Sequence, residues 1–458
     1  MKTKLLRVFA LLFTATLFAQ SGHIMQGVGA VNMSMGGAAT AQPLDISGAL
    51  QWNPAAISSF DDNILKFDIG AFFSSPELSS SLPAGMLGAG APAVSGTTKD
   101  DRGISPLPNL AYVWSKEGSK HTFGASAFGI SGFGVTFPEE TNAPADALGN
   151  PNPNFNPFEN SNPVNYPQAA MGFGHIESDY MLLQVGLTWA YDISDKFSIG
   201  VQPTANYASL ELAPNPTSGP NGSGYPNTNK ASALGFGAQF GVFYDSGFGL
   251  KLGASYKTNQ SFGEFEFDNT YPDGTSSKNK FQMDYPAIFS LGMGYSTDVF
   301  DLALDFRRVD YENTEGFDKT GWTPTASVSG FGWKNISILS AGLQLKLIDK
   351  VPFRLGYTYS SNPIPEEVTF FNIPATAIIK NAYQFGLSYE VNDSWKIDGV
   401  FHYGDSNGAT TGQILNPMMV SPSNPLGAIP GSSISYKMTT SMVMVGVSYT
   451  FKKATAND

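Results

Sequence analysis

The chain has 458 residues, of which 14% are charged and 13% aromatic, with 49 Gly, 30 Pro and no Cys. So low a charged share, against the ~25% of soluble domains, points to a membrane protein, yet beyond the N-terminus no run of ~18 apolar residues exists, which excludes a helical one. The net charge of −12 argues against nucleic acid, and the lack of Cys excludes disulfides, thiolate chemistry and a lipoprotein anchor.

Residues 1–19 read as a secretory signal peptide. Lys2, Lys4 and Arg7 form its basic start, Val8 to Phe18 its apolar core, and cleavage is expected near Ala19–Gln20. Residues 20–63 follow, rich in small residues: Gly27, Gly29, Gly36, Gly37, then Ala38-Ala39-Thr40-Ala41, then Trp52-Asn53-Pro54-Ala55-Ala56. Small residues permit close backbone approach in a confined space. Trp52, Ile57 and Phe60 call for burial. The segment is read as a plug inside a barrel; the bland alternative is a periplasmic leader without structure.

From 64 to 451 the chain repeats one unit, an alternating apolar/polar segment. Fourteen are predicted: 64–73, 107–115, 120–134, 177–191, 195–211, 231–245, 247–268, 278–296, 299–312, 335–347, 351–370, 378–391, 395–406 and 435–451. In 183–191, Leu183, Val185, Leu187, Trp189 and Tyr191 alternate with Gln184, Gly186, Thr188 and Ala190. Successive side chains on a strand face opposite ways, so one row meets lipid and the other a lumen. Short turns alternate with long connections, and strand extensions are expected around 269–277 and 371–377. That alternation is the signature of a closed antiparallel barrel in a bacterial outer membrane. Trp114, Trp189, Tyr191, Tyr389, Trp395, Tyr449 and Phe451 at segment ends suit aromatic girdles. A soluble sandwich or propeller explains neither the apolar row on every strand nor the loop alternation. The fold expected is all-β: a transmembrane antiparallel β-barrel of about 14 strands (64–451), its lumen plugged by the N-terminal hatch (20–63), with a tail at 452–458.

Within the third segment, Gly124, Gly129, Gly132 and Gly134 stand where a bulge or bend can break pairing; they are equally readable as lumen or loop-entry glycines. The long loops carry apolar residues: Leu82, Met86 and Leu87; Phe155 and Phe158; Phe370 and Phe371; Met418 and Met419. These read either as a capture groove for greasy ligands or as a lid packing on itself or on lipopolysaccharide. His23, His121, His175 and His402 lack metal-ligand spacing and read as interface or loop residues. No nucleophile elbow occurs, and Glu139-Glu140 and Glu366-Glu367 lie in loops. No enzyme, metal or cofactor is expected.

Met35-Gly36-Gly37-Ala38-Ala39-Thr40-Ala41 followed by Trp52-Asn53-Pro54-Ala55-Ala56 resembles the N-terminal hatch of the FadL/TodX (OmpP1) family of outer-membrane transporters for long-chain fatty acids and other hydrophobic compounds. Pro352 to Tyr359, Asn362-Pro363-Ile364-Pro365-Glu366, Gly386 to Tyr389 and Ile397-Asp398 are similar to its late strands and loop. The resemblance covers the mature chain. It implies a monomeric fourteen-stranded barrel, passive uptake after capture at an extracellular apolar site, gating by the hatch, and exit through a lateral gap at a kinked third strand. It carries Asn53, Pro54 and Ala55 as the hatch motif, with Gly36 and Gly37 beside them. Partners expected are fatty acids, alkanes or aromatics, with outer-membrane lipid and lipopolysaccharide around the barrel. A general diffusion porin and a structural or adhesive surface barrel are the alternatives. One departure is the tail after Phe451, because such barrels usually end on the terminal aromatic, which bears on assembly.

Overall fold

The computed structural model describes residues 22–451. The signal-peptide reading (1–19) and the tail (452–458) lie outside the described residues. Fourteen strands form the wall: β1 (Asn63–Leu82), β2 (Ile104–Ser115), β3 (His121–Phe137), β4 (Ile176–Ser194), β5 (Phe197–Ala213), β6 (Ala231–Asp245), β7 (Leu250–Lys257), β8 (Ala287–Ser296), β9 (Phe300–Asp310), β10 (Ile336–Leu345), β11 (Phe353–Ser360), β12 (Asn381–Glu390), β13 (Trp395–Asp405) and β14 (Ser433–Phe451). Each pairs antiparallel with the next, and β14 closes on β1 from Asn63↔Phe451 to Ser81↔Ser433. Closure leaves no edge strand at the seam, as a membrane-spanning sheet requires.

The alternation sorts the two faces. On β4, Tyr180, Leu182, Gln184 and Thr188 are buried, while Met181, Leu183, Val185, Leu187 and Trp189 are 38–62% exposed outward. A soluble protein would not leave such a row uncovered on strand after strand; hydrocarbon covers it. No helix among the described residues is long and apolar enough to cross a membrane. At the short-turn end the rings form a belt: Trp395, Tyr449, Phe451, Tyr112, Trp114 and Phe123 follow one another at 4.8–6.1 Å between centroids. In such barrels the short turns take the periplasmic face.

Three segments depart from the period-two reading. The strands expected over 247–268 and 278–296 stop at Lys257 and begin at Ala287. Residues between them build a separate external sheet, Phe265–Thr270 paired with Ser276–Phe281 and Asn227–Thr228. That sheet has the same alternation, so periodicity alone could not separate it from the wall. The extension expected at 371–377 is instead a 3₁₀ helix, Glu366–Ala375. Its run of consecutive buried residues, Val368 to Ile373, has no period of two. Conversely, β1 continues to Leu82, nine residues beyond the expected end, because Val94–Lys99 folds back to pair with it.

The described part of the N-terminal segment, residues 22–60, lies inside the barrel and packs on the inward faces of its strands. It contains helix α1 (Ala30–Ser34), helix α2 (Ile46–Trp52) and a 3₁₀ turn (Pro54–Ser59). Asp45 caps α2, its carboxylate accepting from Gly48 N–H at 3.0 Å. Asn53 then leaves the helix in an extended conformation, and its Oδ1 accepts from Ala55 N–H at 3.1 Å, starting the next turn with Pro54 at its first position. Trp52 and Ile57 are buried, and Phe60 packs half-buried on the same core.

Candidate transport path and its plug

The plug meets the wall through its backbone. Gly36 and Gly37 have φ of +67° and +74°, where side chains are strained. A Cβ at Gly37 would collide with the Gln26 carbonyl, and one at Gly36 would come within 2.7 Å of Tyr357 O. Both carbonyls are held: Thr358 Oγ1 donates to Gly36 O at 2.9 Å and Arg307 to Gly37 O at 2.7 Å. Asn53 Nδ2 donates to Thr40 O at 2.7 Å within the plug and to Val242 O at 3.0 Å on β6. Pro54 and Ala55 abut Gly200 and Gly241 of the wall so closely that a Cβ at either glycine would strike plug backbone or Asn53. The five residues meet the wall at two places, Gly36 and Gly37 at β9 and β11, and Asn53 to Ala55 at β5 and β6.

The strongest anchors were not singled out from sequence. Asp305 Oδ2 accepts from Ala39 N–H and Thr40 N–H at 2.9 Å each, from Thr40 Oγ1 at 2.8 Å and from Arg307 at 2.6 Å. The Arg307 guanidinium lies 3.7 Å from the centre of the Trp52 ring. Lys66 bridges Asp45 of the plug at 2.7 Å and Asp398 of the wall at 3.0 Å. A local signal existed: Lys66/Asp68 and Asp305/Arg307 are charges two apart on the inward row, and buried charge persists only where partnered.

The wall is interrupted at β3. Its ladder with β2 runs from Ser115↔Thr122 to Asn109↔Phe128 and stops. β2 continues to Ile104 paired with β1 alone. Asp101 N–H to Thr136 O, at 2.9 Å, closes the top of the gap. A register shift between Gly129 and Ser131 marks a bulge on the β4 side. Pro106 and Pro108 lie on the unpaired stretch of β2. Proline has no N–H for a second ladder and belongs at sheet edges, so this pair was a sequence signal for the gap. The plug's first residues take up β3's loose stretch. Met25 N–H donates to Ile130 O at 3.0 Å, and Gly132 N–H donates to His23 O at 3.2 Å. Of the four glycines, Gly129 and Gly132 flank the bulge. Gly134 packs beneath Arg102, and Gly124 lies lower, against Leu50 of the plug.

Behind the gap is a cavity of about 100 Å³ lined by Met25, Met33, Phe72, Phe133, Met438 and Met442, with His23 and His402. His23 and His402 are thus buried interior residues rather than loop or interface ones. Burial pushes the His23 imidazole well below its usual range, so it is neutral. On the extracellular side a smaller apolar cleft is lined by Phe173, Tyr225, Trp322, Phe370 and Phe371. Of the loop residues read as a capture groove, the structure brings only Phe370 and Phe371 to this cleft. Leu87 and Phe155 pack around Tyr166 in a separate cluster, and Leu82 is half-buried on the main core. Met86 and Met419 are exposed, and Phe158 and Met418 are 84% and 88% exposed, away from it. Trp322, Phe173 and Tyr225 were missed because each stands alone among Gly, Pro and Thr in sequence.

Residues 165–452 match the model of the outer membrane protein transport protein family (OMPP1/FadL/TodX). The chain belongs to this family. Its location is therefore the outer membrane of a Gram-negative-type cell, in accord with the outward apolar belt. Solved structures share the architecture. The Pseudomonas putida toluene transporter TodX has TM-score 0.63 and 17% identity, over 94% of this chain and 100% of that one. A Pseudomonas aeruginosa FadL homologue has TM-score 0.69 and 14% identity, over 94% and 100%. The Ralstonia pickettii toluene transporter TbuX has TM-score 0.61 and 16% identity, over 93% and 99%. No curated protein sequence matches.

Proposed function

We propose that this family member takes up hydrophobic molecules by passive diffusion, with no catalytic step. The observation that carries the reading is the interrupted β2–β3 ladder beside an apolar cavity closed by the plug's first residues. Ligand is captured at the outer cleft around Phe370 and Phe371. It moves inward when residues 20–63, acting as a hatch, rearrange within the barrel of 64–451. It leaves sideways between Gly129–Gly134 and the proline edge of β2. Burial is worth ~0.8 kcal/mol per methylene, so a sixteen-carbon chain released into the periplasm forgoes roughly 12 kcal/mol that a lateral exit into the bilayer retains. Monoaromatic hydrocarbons, long-chain fatty acids and alkanes all fit an apolar path. Two structural neighbours are toluene transporters and a third is a monoaromatic hydrocarbon channel, which favours small aromatics. The barrel acts as a monomer, bathed by lipid and, outside, by lipopolysaccharide.

The test compares uptake of radiolabelled toluene and palmitate by cells with and without the protein, alongside planar-bilayer conductance. Selective hydrophobic uptake with low conductance is expected. Large, steady water-filled channels would mark a general porin, and intact cell adhesion without any uptake a surface barrel.

A further inference from the structure

The wall carries a groove on its lipid-facing side. Across β8 to β11 the outward surface is hollowed to about 450 Å³. Its smallest outward side chain is Ala341 of β10, set in register between Leu304 of β9 and Tyr357 of β11. Phe306, Leu339 and Tyr359 make the next outward rung towards the long-loop end. Leu304, Phe306 and Leu339 are all exposed, so no other part of the described chain covers the hollow. An unfilled depression forfeits dispersion contacts, so in a membrane a lipid chain occupies it.

A charge stands above the groove. Arg308 pairs in register with Ser337, one rung beyond Phe306 and Leu339, which is about 7 Å along the strand. It is exposed on the outward row, two residues from the end of β9. That end is opposite the aromatic belt and therefore in the outer leaflet. The neighbouring cations have carboxylates, Arg307 with Asp305 inside the barrel and Lys334 with Glu312. Arg308 forms no ion pair among the described residues; it donates to Ser337 Oγ at 3.1 Å. Asp310, the next outward residue, is engaged by Asn313 Nδ2 at 2.8 and 3.0 Å. Ser361 lies beside Ser337, its Oγ accepting from Ser337 N–H at 3.2 Å. Both serine hydroxyls keep a proton to donate. A guanidinium flanked by two hydroxyl donors is complementary to a phosphate, and a cation on a lipid-facing row is costly unless an anion or the interface meets it.

We propose that the groove and the Arg308–Ser337–Ser361 row form a binding site for one phosphorylated, multiply acylated lipid of the outer leaflet, a lipid A. One acyl chain lies over Ala341, and a sugar phosphate meets Arg308 and the two serines. Charge decides the class. A zwitterionic lipid brings its own ammonium to the row, whereas lipid A brings phosphate with no cation attached. Depth decides the leaflet, because Arg308 stands at the long-loop end. The site lies outside the barrel, apart from the transport path, and rests only on which way the barrel faces.

The full mature chain, stripped of lipid in detergent micelles, is titrated with diphosphoryl lipid A, with the same lipid dephosphorylated, and with phosphatidylglycerol. Bound lipid is counted by native mass spectrometry, and the folded barrel is verified by its heat-modifiable mobility. Diphosphoryl lipid A is expected to bind one to one, about tenfold or more tighter than either of the others. Arg308→Gln removes the charge and Ala341→Trp fills the groove; each should weaken lipid A about tenfold. Lys278→Gln, an exposed cation of the external sheet, should leave it unchanged. Phosphatidylglycerol bound as tightly, lipid A affinity unmoved by Arg308→Gln, or an equal loss in Lys278→Gln overturns the proposal, the last by showing charge attraction without a site. A lipid-free dimer that Ala341→Trp dissolves would overturn it too, giving the groove to a second copy of the chain.

Discussion

Asn53→Ala tests how the plug is held, removing one bond to the wall and two within the plug itself. Asn53 is 0% exposed. Truncation removes its bonds to Thr40 O, Val242 O and Ala55 N–H, at 2.7, 3.0 and 3.1 Å. Each bond is worth roughly 0.5–1.5 kcal/mol net, and a buried group left unpaired costs about 1–3, so the docked plug should lose about 2–4 kcal/mol. That raises the undocked population roughly 30- to 700-fold, taking 1.4 kcal/mol per decade. The barrel ladder is untouched, so folded mobility on gels should persist. Single-channel recording should show frequent openings absent from the natural protein, and amides of 45–57 should exchange hydrogen faster. Gly241→Ala reaches the same contact from the wall, because its Cβ would displace Asn53 Oδ1 and press on Pro54 Cδ, 2.9 Å away. It should give the same phenotype. Unchanged conductance and unchanged exchange in both variants would refute the reasoning that this contact secures the plug.

Gly129→Trp is sterically open, with only a Leu107 methyl within 4 Å of the new Cβ; it should fill the gap and abolish uptake while leaving ligand binding intact, measured by transport against calorimetry. Phe371→Ala removes one wall of the outer cleft and, if ~60 Å² of ligand contact is lost, should weaken capture by about 1.5 kcal/mol, near tenfold, read from the concentration dependence of uptake. His23 is held neutral in place by burial and regains its usual affinity for protons, near pH 6.5, when the plug's first described residues leave their buried position. Its contribution is intact above that pH and is lost as pH falls, by up to ~1.4 kcal/mol per unit. Protection factors at residues 22–25, corrected for the intrinsic exchange rate at each pH, should therefore fall below pH 6, and His23→Phe should flatten the response.

The period-two rows and the alternation of short and long connections were legible in the sequence because both are local properties of the chain. A strand's facing repeats every two residues whatever its partners, so the barrel, its polarity inside out and the small-residue plug could be read directly. Even the gap left a local trace in Pro106 and Pro108. The extents of β7 and β8 were not legible, since an alternating segment pairs equally well in the wall or in an outer sheet; the strand expected over 351–370 ends at Ser360, and its last residues belong to the 3₁₀ helix. Nor could sequence sort the apolar loop residues: Phe370 and Phe371 line a cleft while Phe158 and Met418 face water, although all four look alike in composition. The plug's anchors arise from contacts between distant positions, Thr40 with Asp305 and His23 with Tyr311, separated by 265 and 288 residues. Those meetings exist only once the sheet has closed on itself around the N-terminal segment, because it is closure that brings strand faces far apart in the chain to one lumen.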